Sequence, residues 1–260
     1  MSTTGGPVDA ERPAFLNPVT LVGEAIRAII SRLPESIYIW LASSLGLAVA
    51  DFAAQGRELQ VKSLDMSALD PAWAVAALFG GGVSAIFMRL LLAGRDGWLS
   101  LDWRLLQCAG LLALGQLLPA AAADLAAGGR GVPIDPHAQL YLLCGRLAAG
   151  LAAWYVSAKL LLWPVDRLAG RTDLTPEQSW RLMRRTLRSL VLAWLLIGIP
   201  DLLAEGSMKA LRLDPESLPP VLHIANICLG AATGLILDAV IVAIYRRRVG
   251  GERISAERGD

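Results

Sequence analysis

The chain has 260 residues, 55% of them apolar and only 18% charged, and its mean hydropathy is +0.50. That is too hydrophobic for an ordinary soluble domain and makes an integral membrane protein the leading class. A formal net charge of +1 gives no support to nucleic-acid binding, so the 24 Lys and Arg carry information only through where they fall.

Residues 1–17 are rich in Gly, Pro, Thr and charge without periodicity, and read as a loose cytoplasmic tail. They lack a basic region leading into an apolar core and a small-residue cleavage site, so the first membrane segment is expected to stay. Over 18–33, Val22, Ile26, Ile29, Ile30 and Leu33 recur at helical spacing, with Glu24, Arg27, Ser31 and Arg32 elsewhere on the wheel. This predicts an amphipathic helix in the membrane interface, closed by Pro34. Residues 35–54 form the first span, because about 20 residues rising about 1.5 Å each cross roughly 30 Å of hydrocarbon. Further spans are predicted at 73–94, 103–123, 138–164, 186–205 and 221–245, the last stopped by Arg246, Arg247 and Arg248. Residues 249–260 are a second cytoplasmic tail. The expected fold is all-α: a polytopic membrane bundle, 18–248, of six transmembrane helices behind one interfacial helix.

The densest positive run, from Lys159 to Arg188, lies between spans four and five and holds Arg167, Arg171, Arg181, Arg184, Arg185 and Arg188. The positive-inside rule places such a loop in the cytoplasm. With both termini there too, 17 of the 24 cations are cytoplasmic and five are outside, while Arg146 and Lys159 fall within spans. Trp40, Trp73, Trp98, Trp103 and Trp163 sit near span ends, as interfacial aromatics do.

An internal repeat follows the same polarity. Arg89-Leu-Leu-Leu, Gly94-Arg95, Leu99-Ser100 and Trp103-Arg104-Leu105 match Lys159-Leu-Leu-Leu, Gly170-Arg171, Leu174-Thr175 and Trp180-Arg181-Leu182. Each copy has a cation at the end of a span, a Gly-Arg turn and a Ser or Thr that restarts a helix. In the second copy Thr175-Pro176-Glu177-Gln178 has the pattern of a capping box. Such copies build some transporters, and duplication of a packing unit gives the same pattern.

At these residues the chain resembles the bacterial six-helix membrane proteins related to the membrane domain that precedes some glycerophosphodiester phosphodiesterases. The resemblance spans residues 18–248. It implies a six-helix fold and a location in the bacterial inner membrane; no phosphodiesterase domain is expected here, and no active-site residue is carried over.

Polar groups inside the membrane are the candidates for function. Asn226, Gly230, Gly234 and Asp238, spaced four apart, are expected to form one stripe of span six turned into the bundle, with Gly230 and Gly234 allowing close approach of a helix. The stripe reads either as a packing seam with one paired acid or as an ion or proton site. Arg146, roughly 12 Å below the outer end of span four, is expected to pair with Asp201, Asp124 or Asp51, or else to attract an anion into a cavity. Arg89 and Lys159 read as snorkelling anchors, and their depth makes one of them the expected partner of Asp238.

Ser84 and His223 fall at different predicted depths, against a Ser–His relay, and His137 reads as a loop residue. No G-x-S-x-G, H-E-x-x-H or P-loop pattern is present. Cys108, Cys144 and Cys228 lie in apolar segments and are expected to be reduced and structural. No catalytic residue, cofactor or metal is expected. The functional expectation is a non-catalytic membrane protein whose partners are the lipid bilayer, other membrane proteins or further copies of itself. The alternative is a small permease or channel with a polar pathway near Arg146 or Asp238.

Overall fold

A computed structural model describes residues 15–58, 71–94, 98–127, 136–171, 174–210 and 220–250. Among them there is no strand, and eight helices form the bundle: α1 Pro18–Ile30, α2 Leu33–Glu58, α3 Pro71–Ala93, α4 Trp103–Ala127, α5 Pro136–Leu160, α6 Leu162–Leu168, α7 Pro176–Ala210 and α8 Pro220–Tyr245. A π-helical turn, Arg246–Gly250, continues α8.

Four segments among the described residues are long and apolar enough to cross a membrane: Ala74–Ala93, Trp103–Ala123, Leu140–Leu168 and Ile224–Val249. The protein is therefore a helical membrane protein, the architecture in which every backbone polar group can be satisfied within a span. Two other long helices are less apolar for identifiable reasons. The apolar part of α2, Leu33–Val49, is shorter, and α7 carries Arg181, Arg184, Arg185 and Arg188 in its first turns.

Local chemistry sets the helix ends. Asn17 caps α1 by accepting from the Val19 amide at 2.9 Å, with Pro18 as first helical residue. Leu21 and Ala25 are fully buried against α7 and α8, while Val19, Ile26 and Ile30 are exposed. The Thr175 box closes in both directions: Thr175 Oγ1 accepts from the Gln178 amide at 3.2 Å and Gln178 Oε1 from the Thr175 amide at 2.8 Å. In the first repeat the cap is Asp102, not Ser100; its Oδ1 accepts from the Leu105 amide at 2.8 Å.

Two boundaries differ from the predicted ones. The segment predicted to run from 138 to 164 stops at Leu160, and α6 restarts two residues later. Pro164 is the third residue of α6, where its missing N–H removes a donor that would lack an intrahelical partner anyway. Predicted span five and the capped helix restart before it are one continuous helix of 35 residues. His137, expected in a loop, lies in the first turn of α5.

Close packing is concentrated at one end. The end of α3 (Phe87, Met88, Leu90), the start of α4 (Leu105, Cys108), α6 (Leu162, Val165), the early turns of α7 (Met183, Thr186) and every residue of α8 from Asp238 to Tyr245 are buried together. A helix buried on all sides, like this half of α8, has neighbours all round. Towards the opposite end Leu45, Val75, Leu118, Tyr141, Leu143 and Ile224 are exposed, which costs nothing against lipid tails.

The glycines that open the two repeat turns share one backbone conformation. Gly94 and Gly170 have φ of +82° and +80°, left-handed conformations that end the preceding helix and that a residue with a Cβ rarely adopts. An arginine lies against each: Arg32 at Gly94 and Arg104 at Gly170. Helices α3 and α4 approach closely at Gly81, where a Cβ would lie 2.4 Å from the Ala109 carbonyl oxygen of α4.

Candidate functional site

The polar groups gather at the packed, arginine-rich end, in contacts that each join neighbouring elements. At its centre is Asp166 on α6, only 1% exposed. Its Oδ1 accepts from the Tyr245 hydroxyl of α8 at 2.8 Å and its Oδ2 from the Leu174 amide at 3.1 Å. Its backbone carbonyl accepts from the Arg171 amide at 3.1 Å, and the Arg171 side chain lies beside the Tyr245 hydroxyl. One carboxylate thus ties α6, the arginine loop and the end of α8 together. Only one local signal marks Asp166 in the sequence, its place as an acid inside the most basic run of the chain.

Lys159, also 1% exposed, does not snorkel. Its ammonium stands 5.1 Å from the Tyr155 ring centre and 5.9 Å from that of Trp180, and the two rings meet edge to face. Cation–π attraction grows when the charge is desolvated, so the pair of rings stands in for an acid. The Lys159 carbonyl also accepts from the Ser179 hydroxyl at 3.0 Å, which clasps α5 to α7.

Arg89 is held by the turn that follows its own helix. Nη2 donates to Asp102 Oδ2 at 2.8 Å and Nη1 to the Ser100 carbonyl at 2.9 Å. The Arg89 hydrogen bond, then the Leu105 amide, hold the Asp102 carboxyl below its ordinary range.

The expected pairing of Asp238 with Arg89 or Lys159 is therefore not formed. Asp238 is buried and is hydrogen-bonded by Ser84 of α3, with Cys108 of α4 close enough to feel its charge. Equal depth makes contact possible but leaves the azimuth around each helix axis open. Arg89 also had a carboxylate 13 residues away across one short turn, a smaller loop to close.

The predicted α8 stripe is divided. Asp238 is buried, whereas Asn226, Gly230 and Gly234 are exposed, and a Cβ at either glycine would meet nothing within 4 Å. Steps of four residues rotate about 40° each, so Asn226 and Asp238 differ by roughly 120° around the helix. Among the described residues, these glycines do not bring another helix of this chain close.

Arg146 is half-buried and engaged in an interaction, but the side chains of Asp201, Asp124 and Asp51 lie outside the described residues, as do those of His223 and His137. Cys108 is buried, Cys228 half-buried and Cys144 exposed, so the three do not share one buried role; all three are free thiols. The Cys228 carbonyl accepts from Trp40 Nε1 at 2.9 Å, which makes Trp40 a tie between α2 and α8.

The terminal arginines also bind the bundle. Arg246 donates to the Leu91 carbonyl in the last turn of α3, an acceptor a helix end leaves without an intrahelical donor. Arg247 grips both carboxylate oxygens of Glu24 on α1, Nε to Oε2 at 3.1 Å. Arg248 is buried. Among the described residues no group of three or more His, Cys, Asp or Glu side chains is placed to hold a metal ion.

Arg167 is different. Its guanidinium carbon stands 5.6 Å from the Trp163 ring centre, its Nε is buried without a hydrogen-bond partner, and no carboxylate among the described residues pairs with it. It lines a groove of about 360 Å³ between α4 and α6, together with Leu106, Gln107, Leu111, Leu114 and Pro164.

No protein-family model, curated protein or solved structure matches this chain.

Proposed function

We propose that this protein is a non-catalytic integral protein of the bacterial inner membrane, working through its contacts with lipid and with partner membrane proteins. In this reading α2, α3, α4, α5, α7 and α8 cross the membrane, α1 lies in the cytoplasmic interface, and both termini are cytoplasmic. The bias of 17 cytoplasmic cations against five supports that orientation. So does the gathering of Arg89, Arg167, Arg171 and Arg246 at one end of the bundle. The 35-residue α7 is longer than a crossing needs, so its arginine-bearing first turns would stand in the interface.

One observation carries the non-catalytic reading. Asp166, Lys159, Arg89 and Asp238 occupy four separate contacts, each closed by its own neighbours, where a transport path needs polar groups that follow one another through the bilayer. Closed contacts fit a rigid scaffold with its outer faces turned to lipid or to other helices. The exposed Asn226, Gly230 and Gly234 face of α8 is one such surface.

Thiol accessibility tests this. In a background without native cysteines, Ser84→Cys changes one atom at the contact with Asp238. A membrane-impermeant maleimide is expected to leave it unlabelled in right-side-out and inverted vesicles alike, while a cysteine at exposed Leu99 labels in inverted vesicles. Rapid labelling at position 84 from either side would reveal a water-filled path and sink the proposal in favour of a permease.

A further inference from the structure

The geometry points to a binding site for an anionic phospholipid of the cytoplasmic leaflet in the groove between α4 and α6, with the lipid phosphate on Arg167 and one acyl chain along α4. The site deepens the proposed function, because it rests on that reading's orientation and names one lipid the bundle holds.

Three observations lead to it. Arg167 is a half-buried cation without a matched acid among the described residues: its guanidinium stands over the Trp163 ring, and its Nε is shielded from solvent with nothing to donate to. A planar guanidinium is suited to bidentate phosphate recognition, and a desolvated donor left unpaired is costly, so the arrangement gains most from an anion. Second, the groove is amphiphilic in the order a lipid requires. Arg167 and Gln107 lie at its polar end, and Arg104 stands beside Gly170, three residues on from Arg167. Arg104 also faces Asp102, but that carboxylate is already held by Arg89.

Third, the dimensions match. From Leu106 to Leu114 the groove follows α4 for about 12 Å, close to the roughly 15 Å of hydrocarbon in one leaflet. Leu111 and Pro164 wall it, and Leu106 and Leu114 are exposed, so it opens sideways to the bilayer, where a chain can enter. The polar mouth lies at the arginine-rich end, level with cytoplasmic headgroups. Arg167 at the mouth favours a lipid with net negative charge over a zwitterionic one, by about fivefold in affinity near an anionic surface.

Native mass spectrometry of the full chain tests the site, with the protein released from micelles that contain equal phosphatidylglycerol and phosphatidylcholine of identical acyl chains. The wild type is expected to retain phosphatidylglycerol about fivefold or more over phosphatidylcholine. Arg167→Gln should bring the ratio near one, and Arg167→Lys should keep part of it. Arg181→Gln, which removes an exposed cation paired with Glu177, should leave it unchanged. Leu111→Trp, which fills the apolar groove and spares Arg167, should lower retention of both lipids. Inorganic phosphate should not displace the bound lipid.

Equal retention of the two lipids by the wild type would overturn the site. So would equal losses in Arg181→Gln and Arg167→Gln, which mark diffuse attraction, or displacement by phosphate alone, which marks an anion site without a lipid. Loss of the lipid preference while position 84 stays unlabelled removes this site and leaves the closed-bundle reading standing. Rapid labelling at position 84 removes that reading itself.

Discussion

Asp166→Ala is expected to destabilise the protein by about 2–5 kcal/mol, one of the two largest single effects in the bundle. The carboxylate accepts from the Tyr245 hydroxyl and the Leu174 amide in a site that water does not reach. Removing it strands both donors, and each buried polar group without a partner costs about 1–3 kcal/mol. The loss also frees α6 from α8, so the arginine loop loses its anchor. Tyr245→Phe removes one donor with its hydroxyl and leaves the Leu174 bond intact, which predicts a milder loss. The Asp166→Ala, Tyr245→Phe double variant should cost less than the sum of the two, with a coupling of about 0.5–3 kcal/mol. Unfolding by SDS titration in mixed micelles reads all three. A change for Asp166→Ala within about 0.5 kcal/mol would show that the hub contributes nothing.

The second large effect separates two glycines by sign. At Gly81 a Cβ would lie 2.4 Å from the Ala109 carbonyl oxygen and 2.8 Å from the Ala113 nitrogen, both backbone atoms of α4 that no rotamer change can move aside. Gly81→Ala must therefore push α3 and α4 apart, at a cost of about 1–3 kcal/mol or more. Gly234→Ala meets nothing within 4 Å and replaces a poor helix former by a better one, which predicts no loss or a gain of up to about 1 kcal/mol. The same SDS titration compares them. A loss at position 234 as large as at position 81 would mean that the Gly230 and Gly234 face packs on a helix after all.

How far the sequence could be read depends on whether an interaction is local. The Thr175 and Gln178 cap was legible because both partners sit within one turn, and a cap's chemistry does not depend on the rest of the fold. The membrane class was legible because about 20 apolar residues in a row have few other uses. The Gly94 and Gly170 turns were visible as a repeat, although the positive φ that explains both glycines appears only in the structure. Side-chain partners were not legible. Hydropathy gives the height of Asp238 along its helix but not its direction, so Ser84, which stood out only as a possible nucleophile, was missed as its partner. The spacing of Gly230 and Gly234 was real as a pattern, but the turn of the helix carries both onto the exposed side. Asp166 is hidden in a run of arginines whose net sign alone is informative at the level of sequence. Its role rests on Tyr245, 79 residues away, and no local pattern announces such a pairing.

In the proposed orientation the packed end of the bundle and its arginine loop face the cytoplasm, as do both termini. A reporter active only in the periplasm, fused after Asp260 of the intact chain, measures this most directly. Full-length membrane-bound fusion without reporter activity is expected, together with activity from a matched fusion within residues 128–135, between α4 and α5. Strong activity from the intact fusion after Asp260 would contradict the orientation of every helix.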